Sequence, residues 1–362
     1  MSDSDATDID GTETIVRREG RAGRITLNRP RALNALRYEQ VVAIDTALIG
    51  WQDDADVGLV IIDAVGDRAF CAGGDVRELY DARETDPDLA ARFWYDEYTM
   101  NARIHRYPKP VVTCMSGIVM GGGIGLSAHA SHRLVTETSS LAMPETAIGL
   151  MPDVGGSWLL AHAPGYLGRY LGLTGARMGP ADAIYAGFAD THVQGERLTD
   201  LIAELVDPEG EPVGVTIAEY ASAPAGATHA IRQPEIDAVF GAPTLAGIYA
   251  ACAASDSEWL QRAAADLEQR SPLALGVCLE AVRRASDESS LEAVLNMEYR
   301  LATRLYDGGE MIEGVRALII DKDRKPQWQV ARLQDLTPEH VAPLFAPLQK
   351  RPELALAPPQ AR

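Results

Sequence analysis

Twice in this chain an apolar run ends in clustered glycines and gives way to helical sequence. VGLVIIDAV (57–65) leads into Phe70-Cys71-Ala72-Gly73-Gly74-Asp75, and Pro110–Met115 leads into Met120-Gly121-Gly122-Gly123-Ile124-Gly125. Buried strands that turn on glycine into helices are the units of an α/β fold, whose sites are built on the loops after the strands. The rest of the N-terminal half fits that scheme. Alternation from Glu13 to Leu27 predicts two strands around a turn at Gly20–Gly23, and Asn34–Trp51 carries helical periodicity. His132–Thr136 and Ser140–Met143 read as further strands. No period long enough for a solenoid is present.

Composition divides the chain further. Residues 1–12 are small, polar and acidic and are expected to be disordered; 13–205 form the α/β core. DPEGEPVG and ASAPAGATHA mark 206–232 as a connector into a helical region, 233–349. Amphipathic stretches there are Leu245–Ala253, Ser257–Gln269, Pro272–Ala285 and Leu291–Leu305, and the Pro/Ala-rich residues 350–362 read as a loose tail.

With 362 residues, 46% hydrophobic and 23% charged, the composition is that of a water-soluble globular chain with a substantial core. A net charge of −19 argues against nucleic acid as a partner, and no stretch reads as a membrane span. Cys71, Cys114, Cys252 and Cys278 form neither CxxC pairs nor zinc-like clusters, so buried thiols in a reducing cytoplasm are expected and no metal site is. The first ten residues lack an apolar h-region and arginine, which excludes a secretory signal and speaks against a mitochondrial presequence.

The glycine turns are the first candidates for chemistry. Paired glycines let backbone N–H groups point outward and leave no side chain to obstruct a ligand. A donor at a helix N-terminus suits a developing negative charge. Close helix–strand packing explains the same glycines without a ligand. Two carboxylates follow on constrained backbone, Glu145 in Met143-Pro144-Glu145 and Asp153 in LMPDVGGSW, as acid–base groups require. Local sequence also offers Glu145 as a first-turn helical residue and Asp153 as the N-cap of a helix Val154–His162. His129 and His132 lack a nucleophile elbow, and Ser116 in Cys114-Met115-Ser116-Gly117 is a weak candidate for one.

Taken in order, ITLNRPRALNAL (Ile25–Leu36), FCAGGD (Phe70–Asp75), KPVVTCMSGIVMGGGIGLS (Lys109–Ser127), MPETAIGLMPDVGGS (Met143–Ser157) and LTGARMGPADAIYAGFAD (Leu173–Asp190) resemble the crotonase, or enoyl-CoA hydratase/isomerase, superfamily. Within it, GGD, PETAIGLMPDVGGS and EGVRALIIDKDRKPQW (Glu313–Trp328) are nearest to the 3-hydroxyisobutyryl-CoA hydrolases. The resemblance implies a ClpP-like spiral of ββα units followed by a helical C-terminal region. It implies an oxyanion hole at the N–H groups of Gly74 and Gly122, with Gly73 and Gly121 beside the substrate. It also implies a catalytic glutamate at Glu145, a hydrolase-type aspartate at Asp153 and a pocket glutamate at Glu97.

One position departs from the hydratase pattern. Hydratases use two glutamates, and the first of those positions is Gly125 here. One carboxylate cannot readily both activate water and manage the α-proton, so hydrolysis of a short 3-hydroxyacyl-CoA thioester is the implied activity. The alternatives are an enoyl-CoA isomerase or hydratase and a non-catalytic acyl-CoA-binding protein. CoA belongs to the substrate, and no cofactor or membrane is implied. The superfamily's trimers and paired trimers suggest a homo-oligomer. Arg29, Arg31 and Lys322 are candidates for contacting the CoA phosphates.

Overall fold

The computed structural model describes residues 12–358. The expectation of disorder over 1–12 therefore falls, Thr12 apart, outside the described residues. Ten strands follow in order: β1 (Thr14–Glu19), β2 (Ala22–Leu27), β3 (Leu59–Ala64), β4 (Ala69–Cys71), β5 (Val111–Met115), β6 (Ile118–Met120), β7 (His132–Val135), β8 (Ser140–Ala142), β9 (Thr191–Val193) and β10 (Ala221–Ser222). Seven form a sheet in the order β1-β2-β3-β5-β7-β9-β10, and three form a second sheet, β4-β6-β8. The large sheet is parallel from β2 to β9, with an antiparallel strand at each edge. From β3 to β8 chain order alternates between the sheets, one strand in each before the next helical segment, which is a ββα spiral.

Contacts divide the described chain into two compact units. The first holds the residues up to Asp75, Thr99–Leu141 and Met178–Thr228; the second holds Val76–Tyr98, Ala142–Arg177 and the residues from His229 onward.

In the first unit every residue of β5, and all of β3 except its last, is buried, which is why these strands read as continuous apolar runs. Leu59 and Ile61 of β3, with Val112 and Cys114 of β5, share a core with Leu201, Leu205, Ile217 and Tyr220. Those last four lie on the helices Leu198–Val206 and Val213–Tyr220. Burying each such apolar side chain contributes about 1.5–3 kcal/mol. The stretch 206–232, expected to be a connector, thus holds a packed helix and an edge strand. Arg21 fastens it, donating to the carbonyls of Leu205 (3.0 Å), Gly210 (2.8 Å) and Glu211 (2.7 Å).

The helix expected from Asn34 starts only at Tyr38. Leu33 and Asn34 lie in the left-handed region, at φ 53° and 54°. Asn34 favours it there because its side chain accepts from the Arg29 N–H and donates to the Val65 and Ala69 carbonyls.

The second unit is helical. Pro272–Ala285 is opened by Ser271, whose Oγ accepts from the Ala274 N–H at 2.9 Å, and buries most of its length. Leu291–Asp307 packs a stripe through Val294, Leu295, Leu301, Ala302 and Leu305. Residues 350–358, expected to be loose, are fastened. Glu353 pairs with Arg300 at 2.5 Å, Arg351 pairs with Asp307 at 3.2 Å, and Leu354 is buried. These partners are distant in sequence, so composition gave no sign of them. No helix among the described residues is long and apolar enough to cross a membrane.

Candidate functional site

The two glycine turns lie in the first unit and are neighbours there, because β4 and β6, which lead into them, are adjacent parallel strands. A Cβ on Gly73 would stand 3.7 Å from the Gly122 nitrogen and 3.3 Å from the Met120 carbonyl. Gly73 has φ 108° and Gly121 has φ 48°, backbone that a side chain rarely adopts. Leu36 donates to the Gly73 carbonyl (2.8 Å) and accepts from the Asp75 N–H (2.7 Å), a parallel bridge that turns Gly74's own N–H away from Leu36. Gly122 opens the helix Gly122–Ser127, so its N–H is one that no helical carbonyl reaches. Gly73, Gly74, Gly121 and Gly122 are therefore brought together.

Gly123 serves packing. A Cβ there would lie 2.4 Å from the Cys71 carbonyl oxygen and 2.9 Å from its Cβ. Gly123→Ala is expected to cost about 1–3 kcal/mol of stability by forcing the two turns apart, read as a lower melting temperature. An unchanged melt would contradict the tight approach.

Asp75 is paired through its carboxylate with Arg29 at 3.0 Å. Arg29 also donates to the Ala35 carbonyl and pairs with Glu13, and its side chain is 9% exposed. It fastens the first glycine turn and is not a free cation for a phosphate.

The carboxylates lie in the second unit. Glu145 follows Pro144 as the first residue of a 3-10 turn, Glu145–Ile148, so its first-turn placement is as sequence suggested. It is buried, and among the described residues its Oε2 meets no hydrogen-bond donor. Arg270 brackets it, donating from Nη1 to the Pro144 carbonyl (3.3 Å) and to Thr146 Oγ1 (2.8 Å), and from Nη2 to the Thr174 carbonyl. The EGV segment backs the same turn: a Cβ on Gly314 would lie 2.3 Å from Ile148 backbone, and one on Gly149 2.4 Å from the Glu310 carbonyl oxygen. Glycine at both positions lets the two segments touch, a structural reason for part of the Glu313–Trp328 motif.

Asp153 is not the N-cap that local sequence suggests. The helix runs from Gly156 to Ala161 with Gly155 as its cap. The buried Asp153 carboxylate instead accepts the Tyr98 hydroxyl at 2.6 Å, one residue beyond Glu97 on the helix Leu89–His105. Val154, at φ 54°, is a β-branched residue in left-handed backbone, strain on the order of 1–3 kcal/mol that its surroundings must hold. Glu97 is buried as well, and its Oε1 has no partner among the described residues.

A fourth carboxylate, Glu298, joins these three. It is fully buried, and its two oxygens accept the N–H groups of Gly155 (2.6 Å) and Ser157 (2.8 Å). Burial raises the pKa of all four, and the Asp153 charge adds to the rise at Glu97, Glu145 and Glu298. Glu145 and Glu97 are pushed well up, by burial first and Asp153 second. Asp153 rises to about 6 by burial, against the Tyr98 hydroxyl; Glu298 rises to about 8 by burial, against the Gly155 N–H. Such clustering of shifted carboxylates marks functional sites.

Sequence reasoning passed over Tyr98, Arg270 and Glu298. A signal existed for Glu298, a charge on the apolar stripe four residues after Val294 and three before Leu301. Arg270, beside the cap Ser271, carried none. No group of His, Cys, Asp and Glu among the described residues is arranged to hold a metal ion.

Parallel strands alternating between two sheets, with neighbouring glycine turns on the smaller one, define a crotonase-type α/β spiral. Comparison with known proteins places it further. The sequence profile of the enoyl-CoA hydratase/isomerase family matches residues 22–345. The mitochondrial 3-hydroxyisobutyryl-CoA hydrolase of Rattus norvegicus is 39% identical over 347 residues, 94% of this chain and 90% of that protein. Its Xenopus tropicalis counterpart is 38% identical over 344 residues, 93% of this chain and 89% of that protein. Among solved structures, a carnitinyl-CoA dehydratase from Mycobacterium thermoresistibile superposes with a TM-score of 0.90 at 41% identity, covering 95% of this chain and 98% of its own. An enoyl-CoA hydratase from Rhodobacter sphaeroides gives 0.88 at 48% identity, covering 93% and 98%. This chain belongs to the enoyl-CoA hydratase/isomerase family.

Proposed function

We propose that this chain hydrolyses a short 3-hydroxyacyl-CoA thioester, 3-hydroxyisobutyryl-CoA first among them, releasing CoA and 3-hydroxyisobutyrate in valine breakdown. The observation that carries the reading is the pair Glu145 and Asp153, two buried carboxylates in one acidic cluster, together with the presence of glycine rather than glutamate at position 125 of the sequence. A bare Cα at 125 offers no second carboxylate from the helix Gly122–Ser127, which is where the family's hydratases carry one.

Each residue then has a task. When water or a carboxylate attacks the thioester carbonyl, its oxygen gains charge, and the N–H groups of Gly74 and Gly122 donate to it. Loss of one such donor typically costs about 3 kcal/mol of barrier. Glu145 either removes the proton of the attacking water or attacks to form an acyl-enzyme anhydride that water then opens. Asp153 orients water or the substrate hydroxyl, and Glu97 hydrogen-bonds the acyl hydroxyl. The expelled CoA thiolate takes up the proton lost by the attacking water, through Glu145 in the general-base route and when water opens the anhydride in the other.

One observation favours a second reading. Two solved structures that superpose on this chain with TM-scores of 0.90 and 0.88 are named a dehydratase and a hydratase. A free-thiol assay separates the two. With 3-hydroxyisobutyryl-CoA or 3-hydroxypropionyl-CoA, hydrolysis releases one thiol per ester, and crotonyl-CoA keeps its enoyl absorbance. Loss of that absorbance without thiol release would establish hydration and overturn the proposal. The chain is also proposed to work in the cytoplasm, as a homo-oligomer.

A further inference from the structure

Three successive backbone N–H groups follow Asp153 and Val154, and all three are held. The Gly156 N–H donates to the Asp153 carbonyl at 2.6 Å. Those on either side of it, from Gly155 and Ser157, donate to the two oxygens of Glu298. The carboxylate therefore grips the chain on both sides of the bond that closes the Asp153 turn.

An ordinary helix cap does not account for this. The helix that begins at Gly156 has six residues, and its cap residue, Gly155, is in left-handed backbone at φ 78° directly after left-handed Val154. Glycine tolerates that backbone but the β-branched Val154 does not, so the geometry of the turn is imposed from outside. Glu298 is suited to impose it, because it stands in the middle of the seventeen-residue helix Leu291–Asp307 and is fully buried. Tyr98 holds the Asp153 side chain and Glu298 holds the backbone behind it.

We propose that Glu298 is the positioning residue of Asp153, its carboxylate setting the turn that aims the Asp153 carboxyl. This rests on the reading in which Asp153 acts on an acyl-CoA thioester. Glutamate is needed because both contacts are donors, which its carboxylate satisfies fully once ionised, above its raised pKa of about 8, the range in which the variants are compared. A glutamine accepts one and presents its own NH2 to the other, and an aspartate falls short by a methylene.

The test is a double-mutant cycle on the full chain, with Glu298→Gln, Asp153→Asn and the pair together, read as thiol release from 3-hydroxyisobutyryl-CoA. Glu298→Gln is expected to lower kcat by roughly 10²-fold with KM within about 3-fold, the size of effect a misplaced catalytic group gives. Because Glu298 acts through Asp153, the double variant should match Asp153→Asn within about 3-fold. Unchanged kcat in Glu298→Gln, or a double variant slower by the product of the two single losses, would overturn the assignment. So would loss of cooperative melting in both Glu298→Gln and Glu298→Asp, which would make Glu298 a support of the fold at large. Absence of thiol release by the wild type is a separate result and refutes the hydrolase reading itself.

Discussion

Glu145→Gln is expected to lower kcat for CoA release by about 10³-fold or more, while binding of the CoA ester survives. Glutamine keeps the volume of the side chain and its hydrogen-bonding oxygen, but it can neither take a proton from water nor attack a carbonyl. The residue is also well placed for a clean result. Its backbone is fixed by Arg270 through the Pro144 carbonyl and Thr146, and by the packing of Ile148 on Gly314, contacts that do not pass through the side-chain carboxylate. Among the described residues Glu145 Oε2 has no partner to lose. Stopped-assay kinetics and ester binding by calorimetry check both halves, and turnover within tenfold of wild type would remove Glu145 from the mechanism. The wild type should lose kcat/KM as pH falls through the raised pKa of Glu145, because either role needs the ionised form.

Asp153→Asn is expected to lower kcat by roughly 10²-fold or more and, at the same time, to raise the melting temperature at pH 8 by a few degrees. The two effects share one cause. Asp153 has a folded pKa of about 6 against an ordinary 3.8, because burial penalises its charge. A raised carboxyl pKa stabilises the fold fully below the unfolded value, and that contribution is lost as pH rises through the folded one. At pH 8 the ionised Asp153 is therefore destabilising, on the order of 2–3 kcal/mol at most. Asparagine removes the charge and still accepts the Tyr98 hydroxyl. For the same reason the wild type should melt at a lower temperature at pH 8.5 than at pH 5, since Glu97, Glu145 and Glu298 are raised too. Thermal melts of both proteins across that range decide it; a lower melting temperature for Asp153→Asn at pH 8 would contradict the sign.

The glycine turns were legible in the sequence because their physical demand is local. Strand, glycine and helix are adjacent in the chain, and the pairing of β4 with β6 follows from the spiral. The strands β1 to β3 were readable from alternation and apolar runs for the same reason. Asp153 was ambiguous because a helix cap and a catalytic carboxylate look alike in PDVGGS. The structure separates them by giving the cap to Gly155 and its N–H groups to Glu298. Arg270 and Glu298 reach Pro144 and Gly155 across 126 and 143 residues, so no window of sequence holds both partners. The helix expected from Asn34 starts later because the left-handed backbone of Asn34 depends on carbonyls of Val65 and Ala69 far along the chain.

Product analysis of wild-type turnover in 18O-labelled water tests the central claim most directly. With 3-hydroxyisobutyryl-CoA as the substrate, hydrolysis predicts equimolar free CoA and 3-hydroxyisobutyrate carrying 18O in its carboxyl group. An enoyl-CoA product with its thioester intact, and no free CoA, would contradict it.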